Sequence, residues 1–148
     1  MFKHILVPVD GSAHALKAVE IGADLASKYG GRLTLLHVMA RAGSGRVPEE
    51  LQELSRIEHI KVTEAEALQS IADEILTGAR KKAGMANEIE LETAVGDPAS
   101  EIVAFINNHE IDLVVMGRRG LGDLAGLMLG SVSHKISHLA DCPCLTVQ

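Results

Sequence analysis

Aromatic residues are scarce in this chain. The 148 residues include no Trp, one Tyr and two Phe, although 47% of the sequence is hydrophobic. Leu, Ile, Val and Ala must therefore build the core. Helices packed on a sheet rich in Val and Ile suit this composition better than a β-sandwich that depends on aromatic side chains. The length predicts one compact domain, residues 1–148, that can bury a full core.

Long runs of one residue class are also missing, and their absence excludes some partners. No apolar stretch reaches the roughly 18 residues that a membrane span needs, and Met1–His4 leads into a strand-like run without the features of a signal peptide. A net charge of -6 without a long basic run argues against non-specific binding to nucleic acid or to an anionic membrane. We therefore expect a cytoplasmic protein with no nucleic-acid partner and no membrane insertion.

Cysteine is rare, and its placement is informative. Cys142 and Cys144 are separated by one residue, which is too close for a useful structural disulfide and consistent with a reducing compartment. His134 and His138 would share a helix face and suggest zinc, but a packing role for the two cysteines is favoured because they enter a buried strand. The other histidines are scattered without partners and are expected in core or surface roles: His4, His14, His37, His59 and His109.

Strand and helix patterns alternate along the chain. Apolar runs and alternating patterns predict strands at residues 2–9, 33–39, 88–95, 112–116 and 143–147. Periodic apolar positions and capping signals predict helices at 12–28, 48–83 (one long helix or two abutting ones), 98–109 and 131–139, with Asp97 as an N-cap before Pro98. This order implies a parallel sheet with helices on both faces, and the pattern at 88–95 places that strand near an edge. Ligands of such sheets bind beyond the carboxyl ends of the strands.

A glycine-rich segment follows the fourth predicted strand. Gly117-Arg118-Arg119-Gly120 comes directly after the apolar run that ends at Met116, and Gly130-Ser131-Val132-Ser133 begins the next helix. Glycine lets the backbone approach a ligand closely, and a helix start offers N–H groups and hydroxyls to an anion. Arginine can bind phosphate through two hydrogen bonds, although adjacent charges on a loop are often only solvated. The segment predicts a phosphate site, and a nucleotide is the first hypothesis.

Other nucleotide and signalling motifs fit less well. Gly120-x-Gly122-x-x-Ala125 formally matches a dinucleotide fingerprint, but it lacks the acidic residue about 20 positions further on. A P-loop needs Lys-Ser or Lys-Thr after its last glycine, where this chain has Asp123. A receiver-type signalling domain would need paired acids after the first strand and a lysine near the last, which are missing.

Three segments lie at predicted strand ends: Val7-Pro8-Val9-Asp10-Gly11-Ser12, Val38 at the end of the second strand, and the pattern Gly-x2-Gly-x9-Gly-Ser formed by Gly117, Gly120, Gly130 and Ser131. Together they resemble the universal stress protein family, in its ATP-binding subgroup. The resemblance covers the whole chain, including Gly96-Asp97-Pro98 and Cys142-Pro143.

The resemblance implies a five-stranded Rossmann-like sheet of order 3-2-1-4-5 that binds ATP with Mg²⁺ or Mn²⁺. Pro8, Val9, Asp10 and Val38 would frame the adenine, with Asp10 also near the ribose and the metal. Met116 and Gly117 would contact the ribose. The phosphates would be surrounded by residues of the glycine-rich segment: Arg118 or Arg119, Gly120, Gly130, Ser131, Val132 and Ser133. The resemblance also implies a homodimer through Leu145–Val147, which could assemble further.

The expected function is that of a nucleotide-dependent regulator in stress response. ATP would order the loops Met39–Val47 and Gly117–Gly130, and that surface would engage a partner such as a transporter, a kinase or a metabolic enzyme. Fast ATP hydrolysis is not expected, because Asp10 is the only plausible carboxylate near the glycine-rich segment. A slow ATPase or an autophosphorylating protein that uses Ser131 or Ser133 is the enzymatic alternative. A structural dimer with a permanently bound nucleotide is a third hypothesis.

Overall fold

Strands and helices alternate throughout the part of the chain that the structure describes. This structure is a computed structural model, and it describes residues 1–41, 63–84, 88–119 and 129–148. The elements in chain order are β1 (His4–Pro8), α1 (Ala13–Tyr29), β2 (Arg32–Met39), α2 (Glu64–Ala83), β3 (Ile89–Val95), α3 (Pro98–Asn108), β4 (Leu113–Gly117), α4 (Ser131–Leu139) and β5 (Cys144–Val147). Of the predicted helix at 48–83, residues 64–83 are confirmed, and 48–62 lie outside the described residues.

The strands form one parallel sheet in the order β3-β2-β1-β4-β5. The central strand β1 pairs with β2 as far as Pro8 opposite Leu36, and with β4 through Leu6 opposite Val114. The chain therefore winds outward from β1 in both directions, and the winding reverses between β1 and β4. The predicted fold class and strand order are confirmed. A crevice is expected at the carboxyl ends of these two strands.

Side chains on the two faces of the sheet pack into two separate hydrophobic cores. Ile5 and Val7 of β1, together with Val9 just beyond the strand, pack with residues of α1 and α2 on one face. Leu6 points to the opposite face, where it packs with residues of α3 and α4, including Ile136. Because the core strands are buried on both faces, their sequences are runs of apolar residues rather than alternations.

Side-chain caps fix the starts of three helices. Ser12 Oγ accepts from Ala15 N–H at 3.2 Å, and Thr63 forms a capping box with Glu66. Asp97 accepts from the Ser100 N–H at 3.1 Å, with Pro98 as the first helical residue, as predicted. The helix α4 differs, because its N-cap is Gly130 and no side chain caps it. Its first N–H groups therefore lack a side-chain acceptor at this end.

The edge position predicted for β3 is confirmed. However, the alternation of apolar and polar residues in this strand does not match which side chains are buried. Leu91 and Val95 are exposed, at 37% and 48%, whereas Glu90 is half-buried. Glu90 accepts a hydrogen bond from Thr34 Oγ1 at 3.1 Å and lies near Arg32 of β2. These polar contacts with the neighbouring strand hold the Glu90 carboxylate against the sheet.

The expectation that His4 lacks partners is wrong. The ring is buried at the amino end of β1, and its Nε2 lies 2.8 Å from Thr34 Oγ1. Its Nδ1 lies 2.9 Å from both His109 O and Arg32 Nη2. His109 also has contacts, since its ring stacks on Phe105. These contacts are non-local in sequence, so spacing alone could not indicate them.

Candidate functional site

A cavity opens at the carboxyl ends of β1, β2 and β4. It has a volume of about 250 Å³, and the N-terminal turns of α3 and α4 complete its wall. We call it the strand-end cavity. Ten of the residues predicted from sequence line it: Pro8, Val9, Asp10, Val38, Met116, Gly117, Arg119, Ser131, Val132 and Ser133. The fold thus brings together three segments that are far apart in the sequence.

The cavity has an apolar part and a polar part. Leu36, Ile102 and Ile136 contribute apolar surface, and they belong to the core between the sheet and helices α3 and α4. Arg119 and Ser131 contribute polar groups near the start of α4. A ligand with a flat apolar ring and an anionic tail matches this division.

The end of β1 is held in place by hydrogen bonds to β2 and within the turn. Val9 N–H donates to Leu36 O at 2.9 Å, which continues the sheet ladder by one residue beyond the strand. Asp10 Oδ1 accepts from Ser12 N–H at 2.9 Å, and Gly11 supplies the positive φ, +86°, that this turn requires. One carboxylate oxygen of Asp10 therefore stabilises the turn at the wall of the cavity.

The glycine at the end of β4 is required by close packing. A Cβ atom on Gly117 would lie 2.9 Å from the Cβ of His14 and 3.0 Å from the Ala15 nitrogen. The backbone of β4 therefore passes directly against the first turn of α1. This contact lets Met116 and Gly117 form one wall of the cavity while Ala15 forms another.

Backbone hydrogen bonds of Arg118 and Gly130 form a brace that joins β5, the end of β4 and the start of α4. Arg118 N–H donates to Val147 O at 2.7 Å, and Arg118 O accepts from Gly130 N–H at 2.8 Å. Ser133 Oγ lies 2.9 Å from Arg118 O and 3.1 Å from Gly130 O, to which it can donate. Neither Arg118 nor Gly130 is among the cavity-lining residues, and the Ser133 hydroxyl proton has protein acceptors. The brace fixes the start of α4 relative to β4.

The first turn of α4 borders the cavity. Ser131, Val132 and Ser133 all line it, and the first intrahelical bond is donated by His134 N–H to Gly130 O at 2.9 Å. The N–H groups of the three preceding residues have no acceptor within the helix. Together with the positive end of the helix dipole, they make this wall suitable for an anion.

Some lining residues were missed in the sequence, and some predictions cannot be placed. Ser12, Ala15, Leu36, His37, Pro98, Ile102 and Ile136 also line the cavity. Ser12 and Pro98 lie at predicted helix starts, whereas Leu36 and Ile136 lie within a strand and a helix, and only the parallel strand order brings these positions together. The expectation that His37 lacks a partner is wrong, because its Nδ1 lies 2.8 Å from Val9 O. Gly120, His59 and residues 42–47 of the Met39–Val47 loop lie outside the described residues.

The two cysteines pack against the core beside α3 and α4. Both are free and half-buried. Burial raises the pKa of the Cys142 thiol to about 11, with a further contribution from Cys144, so this thiol is a poor nucleophile and metal ligand. Among the described residues, no three His, Cys, Asp or Glu side chains are grouped so as to hold a metal ion, and no described helix is long and apolar enough to span a membrane.

These features define a class: doubly wound α/β proteins with a small-molecule cavity where the winding reverses. Within that class, the model of the universal stress protein family matches residues 1–148, and the chain belongs to this family. It is 37% identical over 158 aligned positions to the universal stress protein YxiE of Bacillus subtilis, with all of both chains covered. It is 34% identical over 152 positions to a universal stress protein of Thermus aquaticus, again with full coverage of both.

Solved structures agree with the fold. UspA of Lactobacillus plantarum has a TM-score of 0.73 at 24% identity, covering 99% of this chain and 98% of its own. A universal stress protein in complex with cAMP has a TM-score of 0.72 at 24% identity, with 99% and 97% covered. An Arabidopsis thaliana family member with AMP bound has a TM-score of 0.61 at 19% identity, with 98% and 90% covered. At these identities the likeness establishes the fold.

Proposed function

We propose that this protein binds an adenine nucleotide, ATP with Mg²⁺ or Mn²⁺, in the strand-end cavity. The observation that carries the proposal is the uncapped start of α4 at the cavity wall, where Gly130 replaces a capping side chain. N–H groups of Ser131 to Ser133 and the guanidinium of Arg119 would bind the phosphates. The apolar part of the cavity would take the base, beside Val9, Val38 and Met116. Family members that bind cAMP and AMP support the choice of an adenine nucleotide.

The metal would be held by Asp10 together with the phosphates. Asp10 lines the cavity, and its Oδ1 already accepts the Ser12 N–H. Mg²⁺ is commonly bound by one or two protein carboxylates plus nucleotide phosphates and waters, so a single carboxylate fits such a site. The metal would offset phosphate charge that Arg119, the arginine among the described lining residues, leaves unbalanced.

The proposed role is regulatory. Asp10 is the carboxylate among the described lining residues, and efficient phosphoryl transfer needs a positioned base in addition to metal ligands. ATP would instead order residues around the cavity, and the ordered surface would engage a partner protein. If the protein does transfer phosphate to itself, Ser131 is the better acceptor, because it is exposed and lines the cavity, whereas Ser133 is 4% exposed.

A homodimer through β5 is part of the proposal. This strand is an edge of the sheet, and Leu145 on it is 39% exposed. Leu139, at the end of the preceding helix, is 58% exposed. Pairing of two β5 strands would satisfy the edge and cover these side chains. Sedimentation of the wild type as a dimer and of a Leu145→Lys variant as a monomer would support this assembly.

The binding proposal is tested by calorimetric titration of nucleotide-free protein with MgATP. Ser131→Glu places a negative charge at the N-terminal turn of α4, which favours the helix but repels phosphate. We expect the wild type to bind and this variant to bind at least about tenfold more weakly. Ala65→Glu makes the same kind of change in the first turn of α2, outside the cavity lining, and should bind like the wild type. Absence of binding by the wild type, or equal binding by Ser131→Glu, would contradict the proposal.

A further inference from the structure

The hydrogen-bond ladder between β1 and β2 ends at Pro8 and Leu36, although β2 continues to Met39. His37 is the next residue of β2 after the ladder ends. Backbone groups of β2 alternate between its two neighbours: Leu36 O accepts from Val9 of the β1 segment, whereas Met39 O accepts from Gly96 beyond β3. By this alternation, the N–H and C=O of Val38 face the β1 side. With Pro8 opposite Leu36, the next rung would run from Val38 N–H to Val9 O.

That rung is not formed. No backbone hydrogen bond joins Val38 N–H to Val9 O among the described residues, although the rung before it, from Val9 N–H to Leu36 O, is intact at 2.9 Å. The Val9 carbonyl instead meets His37 Nδ1 at 2.8 Å. A carbonyl can only accept, so Nδ1 carries the hydrogen and donates it. The imidazole of His37 therefore takes the place of the Val38 N–H.

The replacement of the Val38 N–H by the His37 imidazole as donor matters because of where these groups lie. Val9 is 4% exposed, and a buried carbonyl without a donor is costly, so some donor has to satisfy it. Val9, His37 and Val38 all line the strand-end cavity, next to its apolar part. A side-chain donor on Val9 O leaves the Val38 N–H and C=O directed to the gap between the two strand ends. An N–H beside a C=O is complementary to the acceptor N1 and the amino group of adenine.

We propose that His37 is a positioning residue for base recognition: its side chain holds the Val9 carbonyl and so keeps the backbone of Val38 available to the base. The inference rests on the proposed function, because it concerns the same cavity. It assigns to His37 an effect on base affinity that acts through Val38, without a contact between the imidazole and the nucleotide. Phosphate binding at the start of α4 is independent of this effect.

Three substitutions separate this role from a merely structural one. His37→Phe keeps a ring but removes the donor, so Val9 O should recruit the Val38 N–H and close the extra rung. His37→Asn keeps a donor at the δ position and should preserve the wild-type arrangement. His138→Phe is the matched control, because His138 Nδ1 also lies 2.9 Å from a carbonyl oxygen, that of His134, and His138 is exposed outside the cavity lining.

The first readout needs no ligand. Amide hydrogen exchange followed by NMR should find Val38 less protected than Leu36 in the wild type, in His37→Asn and in His138→Phe, and Val38 newly protected in His37→Phe. Equal protection of Val38 and Leu36 in the wild type would overturn the inference. So would a Val38 amide whose exchange is unchanged in His37→Phe.

The second readout is binding. His37→Phe should weaken adenosine binding about tenfold, the value of one lost hydrogen bond, and leave tripolyphosphate binding unchanged. His37→Asn should restore adenosine binding. Unchanged adenosine affinity in His37→Phe would overturn the inference while ATP binding by the wild type still upheld the proposed function. A wild type that binds neither adenosine nor ATP would instead overturn the proposed function and, with it, the role in base recognition.

Discussion

Gly117 and His14 are in direct contact across the junction of β4 and α1, where a Cβ on Gly117 would lie 2.9 Å from the His14 backbone carbonyl carbon and from its Cβ. Neither the backbone nor a Cβ can move aside as a flexible side chain would. The contact brings the carboxyl end of β4 close to the start of α1, and this approach shapes one side of the strand-end cavity.

This contact predicts a stability loss for Gly117→Ala. Overpacking should lower the free energy of unfolding by about 1–3 kcal/mol, measured by urea denaturation. Gly78→Ala is the matched control, since no described atom lies within 4 Å of a Cβ at this exposed position in α2. The control should gain about 0.5–1 kcal/mol from the better helix propensity of Ala. Equal effects of the two substitutions would contradict the packing assigned to Gly117.

The cap of α3 gives a second prediction. Asp97→Ala removes the acceptor of the Ser100 N–H and should cost about 1 kcal/mol of unfolding free energy. Asp97→Asn keeps a side-chain oxygen at the same position and should stay within a few tenths of a kcal/mol of the wild type. Thermal and urea unfolding of the two variants measure the difference. A loss in Asp97→Asn as large as that in Asp97→Ala would show that the charge matters more than the cap.

His4 predicts an acid-dependent loss of stability. Burial lowers the pKa of His4 below 6.5, and the Arg32 guanidinium lowers it further, against the opposing effects of His109 O, Glu90 and Asp112. A protonated His4 would place a second positive charge beside the Arg32 guanidinium, whose Nη2 lies 2.9 Å from His4 Nδ1. Between the native pKa and about 6.5 the unfolded state binds more protons, and the unfolding free energy must fall as the pH falls.

Urea unfolding of the wild type and of His4→Gln at a series of pH values between about 7.5 and 5 measures this effect. The variant should lose stability more slowly with falling pH than the wild type, because it lacks the titrating group. Parallel profiles would indicate that His4 has the same pKa in the folded and unfolded states.

Much of the fold could be predicted from sequence because the signals were local. Asp97 before Pro98 marked a helix start, and the apolar run before Gly117 marked a strand buried on both faces; both are found as predicted. The alternation of elements then indicated the parallel order. The alternation in β3 was less reliable, because Glu90 is held by Thr34 and Arg32 across the edge of the sheet.

The site was predicted less completely, because several of its relationships are non-local. The glycine-rich segment predicted a phosphate site, but it did not indicate that Arg118 would form the backbone bonds of the brace while Arg119 lines the cavity. The contact of His37 with Val9 joins residues that are 28 positions apart. Such contacts depend on the register between strands, which cannot be predicted from a single sequence.

The assignment of the strand-end cavity as the nucleotide site is tested by mapping which amide signals respond when MgATP is added to the ¹⁵N-labelled protein. Binding in the strand-end cavity should shift the amide signals of Val9, Val38, Met116 and Ser131 in a saturable way, and leave those of His4 and Asp112 at the opposite end of the sheet unchanged. Shifts confined to the His4 end, or no saturable shifts at millimolar nucleotide, would contradict the assignment of this cavity as the nucleotide site.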